Sequence, residues 1–248
     1  MLNHGKATFS LAIIIAFQLS VPCFSQFITC GIKGGIGISE FRCYSNWSRV
    51  MTEETNSFLV SPTAGFYIRI KLHENWYFES DVMIENKGNR YRRTYMTDSS
   101  LVNNTWQTNV EEINLTNRYF IHFPQKIQFS IPLDKKRKHF FFFEAGPYFA
   151  YLLAQKTVFI LNNEKNNLDS PEDLDELIRC FDWGGIVGTG YLFKLWKGEL
   201  EINITYNHSL QSFLTPDNPL KTSDTKAFYN VLAVTIGYSL PVINKSNN

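Results

Sequence analysis

Beyond its first 25 residues the chain has no apolar run near the roughly 18–20 residues that a membrane helix needs. Charge is scarce: Asp, Glu, Lys and Arg make up 19% of 248 residues. It is also balanced, with 24 Lys plus Arg against 23 Asp plus Glu, so the basic surface that phosphate contacts require is missing. Nucleic acid is excluded as a partner on that ground. The four cysteines contain no CxxC pair and no zinc-ligand spacing. Cys30, Cys43 and Cys180 are the three that follow Cys23, an odd number that leaves room for one disulfide and no framework. Histidines number five, and none sits in a triad order or a nucleophile elbow. No metal and no cofactor is expected.

What the chain has in quantity is aromatic and apolar residues: 21 Phe, 12 Tyr and 5 Trp within a hydrophobic share of 44%. Residues 1–25 read as a secretory signal peptide, from a weakly basic start at His4 and Lys6 through an apolar stretch, Leu11 to Phe17. Cys23 and Ser25 stand at −3 and −1 of a cut before Gln26. Residues 26–241 then form one domain, and 242–248 a short tail. Removing 1–25 takes away one Lys and leaves the basic and acidic counts equal.

Within the domain, apolar and polar residues alternate with a period of two, the mark of strands with unlike faces. Eight segments show it, beginning with Ile28 to Ser39, Phe58 to Leu72, Trp76 to Glu85 and Ile113 to Phe129. Phe141 to Leu153, Asp182 to Leu195, Glu199 to Leu210 and Phe228 to Leu240 complete the set. No charged residue falls on the apolar face of any. Residues 42–57, 86–106, 155–180 and 211–225 are long polar connections, and the others are short turns. This predicts an all-β, eight-stranded antiparallel up-and-down barrel, with four long loops on one side and short turns on the other.

A barrel of eight strands holds little more than its own inward side chains. The apolar faces carry far more Phe, Ile, Leu, Trp and Tyr than fit inside, while the polar faces are rich in Gly. The apolar faces therefore point outward into lipid, and the barrel is transmembrane. Trp76, Phe78, Tyr119, Trp183, Tyr191, Tyr206 and Tyr238 are candidates for the interfacial girdles.

Several local patterns resemble the PorT-like outer-membrane β-barrel proteins of Bacteroidetes. They are Gly31-Ile32-Lys33-Gly34-Gly35, Ser61-Pro62-Thr63-Ala64-Gly65-Phe66, and the strand from Phe78 that ends in Asn86-Lys87-Gly88. Ile121-His122-Phe123-Pro124, Phe143-Glu144-Ala145-Gly146-Pro147-Tyr148, Asp182-Trp183-Gly184-Gly185, Gly188-Thr189-Gly190 and Ile236-Gly237-Tyr238 continue the pattern in order. The resemblance spans the whole domain. It implies the outer membrane of a Gram-negative cell, contact with lipid and lipopolysaccharide, and termini in the periplasm. It also implies a place in an envelope or secretion assembly of the type IX kind.

The polar faces would point Lys33, Arg69, Lys71, Arg118, Lys126 and Lys194 into the lumen. Glu79, Asp81, Glu85, Glu112, Glu144, Asp182, Glu199 and Glu201 would face them. Isolated charges are costly in so narrow a space, so a salt-bridged plug is expected, against the alternative of an ion or proton path. His208-Ser209, with Ser212 and Glu199 or Glu201 nearby, and His122 are the residues a lipid-modifying enzyme would use. Ordinary hydrogen-bonded histidines are the expectation there. Among the loops, Ser170-Pro171 opens a short predicted helix to Arg179, whose stripe of Leu174, Leu177 and Ile178 would dock a partner. Lys87, Arg90, Arg92 and Arg93, beside Tyr91 and Tyr95, would touch anionic lipid or an acidic partner. The sequence thus points to a non-catalytic anchor or accessory subunit, with a narrow channel and a lipid-modifying enzyme as alternatives.

Overall fold

Alternating residues become strands throughout the computed structural model, which describes residues 27–44, 54–96, 109–161, 164–168, 179–195, 197–214 and 226–244. The strands are β1 (Phe27–Tyr44), β2 (Glu54–Ser57), β3 (Leu59–Lys71), β4 (Trp76–Asn86), β5 (Asn89–Met96) and β6 (Asn109–Pro132). They continue as β7 (His139–Leu161), β8 (Glu164–Leu168), β9 (Phe181–Leu195), β10 (Gly198–Ser209) and β11 (Lys226–Asn244). Among the described residues there is no helix, and so none long and apolar enough to cross a membrane.

Eight of the strands form a closed antiparallel ring in the order β1, β3, β4, β6, β7, β9, β10, β11. The first and last strands seal it, with Gly35 opposite Thr235 and Ile36 opposite Val234. Closure leaves the ring no free edge, which is what lipid demands of a β-structure. Each of the eight segments read from the sequence falls on one of these strands, with Phe58, Leu72 and Leu210 one residue beyond a strand end.

The connections differ from the expectation of polar loops. β5 pairs with the first part of β6, β2 pairs with β5, and β8 pairs with the last part of β7. Residues 86–106 and 155–180 thus carry ladder that continues the wall. β6 and β7 run to 24 and 23 residues, where about 9–11 cross a bilayer, so the start of β6 and the end of β7 stand well beyond the lipid on the long-loop side. Cys30 carries an unbridged thiol on the outer wall. The proposed signal peptide and the helix from Pro171 lie outside the described residues, except for Arg179 at the helix end.

β10 displays the inside-outside rule most cleanly. Glu201, Asn203, Thr205, Asn207 and Ser209 are buried, while Ile202, Ile204 and Tyr206 are exposed by 46, 48 and 40%. Charge goes in and hydrocarbon goes out, the reverse of a soluble barrel. Trp76, Tyr191 and Tyr238 are exposed toward the short-turn end, and Tyr119, Trp183 and Tyr206 toward the other. They stand where the two interfacial girdles belong. Ile204→Lys is therefore expected to cost about 2–4 kcal/mol of folding stability in phospholipid vesicles, as charge at mid-bilayer does. Ile204→Leu serves as the neutral control in the same urea titration, and equal midpoints for the two would reverse the assignment of faces.

Inward glycines admit large rings. A Cβ on Gly31 would sit 2.5 Å from the Tyr67 ring, and one on Gly190 would sit 2.4 Å from Phe142. Both rings are almost fully buried, so no side chain fits beside them. Gly190→Val is expected to block folding, read as loss of the heat-modifiable compact band in gel electrophoresis.

Candidate functional site: the filled lumen

The lumen is layered from one mouth to the other. At the short-turn end Phe140, Phe142 and Leu192 make a small apolar floor. Above it lies the main charge cluster, built from alternate residues of six strands. Lys33 on β1 reaches Glu79 at 2.5 Å, Glu201 at 2.8 Å and Asp81 at 3.5 Å. Arg69 on β3 donates from Nε and Nη2 to Glu79 at 2.9 and 2.6 Å. It also pairs with Glu199 at 3.3 Å and with Glu201. Lys126 on β6 completes the cluster with Glu79 at 2.7 Å, Asp81 at 2.9 Å and Glu144 at 3.2 Å. Glu79 therefore touches all three cations. The Tyr67 ring lies under Lys33 and Arg69, 4.4 and 5.3 Å from their charged groups.

A second, smaller layer lies toward the long loops. Lys87 pairs with Asp182 at 2.8 Å and lies 3.8 Å from Glu85. Tyr148 and Ser209 donate to Asp182 as well, and Asn207 donates to Glu85 at 3.2 Å. His122 faces Glu85 across 3.6 Å and packs edge-on against Tyr148. Between the layers is a cavity of about 30 Å³. Asp81, Glu85, His122, Asn203 and Asn207 line it, and each turns one atom that has no hydrogen-bond partner among the described residues. Such a space holds no more than one or two waters.

The long-loop mouth is stoppered by hydrocarbon. Phe120, Tyr148, Ala150, Leu152, Ile186 and Tyr229 pack there with Phe213 and Leu214, which fold inward from the connection after β10. Phe213 is tied by its N–H to Ala227 O at 3.0 Å and by its carbonyl to Arg179 N–H at 2.8 Å. The stretch 211–225, read as a polar loop, thus contributes part of the barrel's own core.

Of the charged residues expected inside, Lys33, Arg69, Lys126, Glu79, Asp81, Glu85, Glu144, Asp182, Glu199 and Glu201 take part in these layers. Three do not. Arg118 bonds Gln155 at 2.8 Å and lies over the Phe213 and Tyr229 rings, because the side chains packed on it are aromatic, and it forms no ion pair with a carboxylate among the described residues. Lys71 and Lys194 stand at the short-turn rim, where the strands end before the lumen closes over them. Of Glu112 only the backbone is described.

Lys87 is the residue that sequence reasoning missed. Assigned to the basic loop, it is fully buried, because the inward alternation Glu79, Asp81, Met83, Glu85 continues one step past the end of β4. That continuation was the available signal. Arg90 is exposed on β5, whereas the side chains of Arg92 and Arg93, like Pro171, Leu174, Leu177 and Ile178, lie outside the described residues.

The residues considered for hydrolysis do not assemble. His208 points outward, bonding Asn230 at 2.7 Å and stacking with Tyr206 and Phe228. Ser209 points inward to Asp182, so the two neighbours lie on opposite faces of one strand. Ser212 accepts the Ala227 N–H at 3.2 Å. His122 meets a carboxylate and an aromatic ring, with no nucleophile beside it in the contacts it makes. Among the described residues no three His, Cys, Asp or Glu are placed to hold a metal ion.

No curated protein sequence matches the chain. Solved structures that resemble it include Neisserial surface protein A, 8% identical with a TM-score of 0.36, covering 84% of this chain and 95% of that one. The outer membrane protein OprG from Pseudomonas aeruginosa is 10% identical, with a TM-score of 0.40 and coverage of 88% and 97%. The outer membrane protease OmpT from Escherichia coli is 11% identical, with a TM-score of 0.44 and the same coverage. The sequence profile of the outer membrane protein beta-barrel domain matches residues 24–215. With the closed eight-stranded ring and its hydrocarbon outer wall, that match settles the family: the chain belongs to the outer membrane protein beta-barrel domain family and resides in the outer membrane of a Gram-negative cell.

Proposed function

We propose that this barrel is a non-conducting, non-catalytic anchor that serves as an accessory subunit of a larger envelope assembly. One observation carries the reading: the lumen is filled along its length, by an aromatic floor, two ion-paired layers and an apolar stopper. A solute path and a reaction centre both need open space at polar groups, and the cavity between the layers is the size of a water pair. Activity then belongs to the outside of the molecule. The paired start of β6 and end of β7, flanked by β5 and β8, offer a ladder beyond the lipid against which a partner protein can dock.

The process we assign is protein secretion of the type IX kind, on the sequence resemblance to PorT-like barrels. In that arrangement the termini and short turns face the periplasm and the long connections face outward. A tagged copy extracted from its native membrane in mild detergent is expected to bring down envelope proteins in stoichiometric amount. A barrel that emerges alone, from cells in which the tag leaves growth and secretion intact, would overturn the reading.

A further inference from the structure

The charge of the chain is balanced overall, yet the short-turn rim is strongly one-signed. Three turns lie side by side around the ring: β3 to β4, β6 to β7, and β9 to β10. They and the strand ends beside them carry Lys71, Lys135, Lys136, Arg137, Lys138, Lys194 and Lys197, against Glu74, Asp134 and Glu199. All of these cations are exposed except Lys71, which is half-buried.

The central turn is built rather than slack. The N–H groups of His139 and Lys138 donate to the Asp134 carboxylate at 2.9 and 2.8 Å, which holds its carboxyl below the usual Asp value. Arg137 occupies the left-handed region, with φ of 51°, a conformation that Gly or Asn takes more readily. Its guanidinium donates to Asn75 of the neighbouring turn at 2.9 Å, so adjacent turns are braced to each other. The basic side chains thus leave from a fixed backbone.

Depth identifies what they meet. Trp76, tilted against Phe129 at 4.8 Å, is exposed on the outer wall in the first residue of β4, and Tyr191, bonded to His139 at the start of β7, is exposed four residues before the end of β9. Aromatic residues of this kind settle at the level of lipid headgroups. Lysines just beyond them stand in the phosphate layer, where anionic headgroups supply the counter-charge that the rim lacks.

The geometry points to the short-turn rim as a binding surface for anionic phospholipid headgroups of the surrounding leaflet. It fixes the barrel's depth and collects a shell of acidic lipid around three adjacent turns. Binding of this sort is electrostatic, so it weakens with salt and with each Lys removed.

The test folds the chain from Gln26 to Asn248 into nanodiscs of phosphatidylcholine containing a minor share of phosphatidylglycerol. The lipids retained by the barrel after detergent extraction are then weighed by native mass spectrometry. Wild type is expected to retain phosphatidylglycerol at about threefold its share of the bilayer, falling toward its share in 0.5 M salt. The quadruple variant Lys135→Ser, Lys136→Ser, Lys138→Ser, Lys197→Ser is expected to lose the enrichment, while Arg90→Ser with Lys156→Ser on the opposite side keeps it. Wild type without enrichment, enrichment indifferent to salt, or equal loss in both variants would overturn the proposal. So would a preference for lipopolysaccharide over phosphatidylglycerol when both are offered. Should the quadruple variant fail to fold, the salt titration of wild type decides.

Discussion

Glu79→Ala is expected to lower the stability of the barrel by about 3–5 kcal/mol, the cost of breaking a buried ion pair by removing one side. Glu79 is fully buried and accepts from Lys33, Arg69 and Lys126 together. Its loss leaves three cations crowded in a space that the remaining carboxylates cannot fully serve. Asp81 retains Lys33 and Lys126, and Glu199 and Glu201 retain Arg69, but the group common to all three is gone. Glu79→Gln keeps the shape and removes the charge, and it is expected to be destabilising for the same reason. Urea titration in phospholipid vesicles reads both. A loss below about 1 kcal/mol for Glu79→Ala would mean that the cluster is solvated, as surface pairs are.

Lys87→Met is the second large effect, about 3 kcal/mol, because it strands Asp182 in the upper layer. The double variant Lys87→Met with Asp182→Leu is expected to regain at least half of that loss, since replacing both members of a buried pair by hydrocarbon is often close to neutral. The rings of Phe120 and Tyr148, 5.2 and 4.2 Å from the Lys87 ammonium, offer the apolar lining such a pair needs. No recovery in the double variant would mean that Lys87 holds Glu85 and the Tyr148 hydroxyl in place as well as Asp182.

Lys87 also marks the boundary of what the sequence made legible. Alternation along Trp76 to Glu85 is a local property, and it set the strand and its inward face without any knowledge of the partners. Asn86-Lys87-Gly88 has the composition of a turn, and only the pairing of Lys87 with Asp182, 95 residues away, shows that the strand face continues through it. The eight strands, the outward hydrocarbon and most of the lumen charges follow from period-two patterning, because each strand in a closed barrel sees the same two environments. Arg118 departs from its expected acid partner because the level of a residue in the barrel depends on the stagger between strands. A bulge at Tyr119 and Phe120 shifts that register, and no single segment encodes it. Phe213 and Leu214 were hidden for a related reason: a pair of apolar residues in a polar connection has no periodicity to betray where it lands. β5 and β8 escaped because ladder built on Arg, Asn and Lys is held by its neighbours rather than by its own pattern.

The layered lumen gives the barrel two features at once. It removes the water path that an open eight-stranded ring would offer, and it ties β1, β3, β4, β6, β7 and β10 together through side chains as well as through the backbone ladder. Rigidity of that kind suits the work proposed for its surfaces, on lipid at the short-turn rim and on proteins at the projecting ends of β6 and β7.

Single-channel recording of the refolded protein in planar bilayers tests the filled-lumen account most directly. The account predicts a silent membrane at moderate voltages in molar salt, with insertion confirmed by protease protection of the barrel. Stable, stepwise openings from wild-type protein would contradict it.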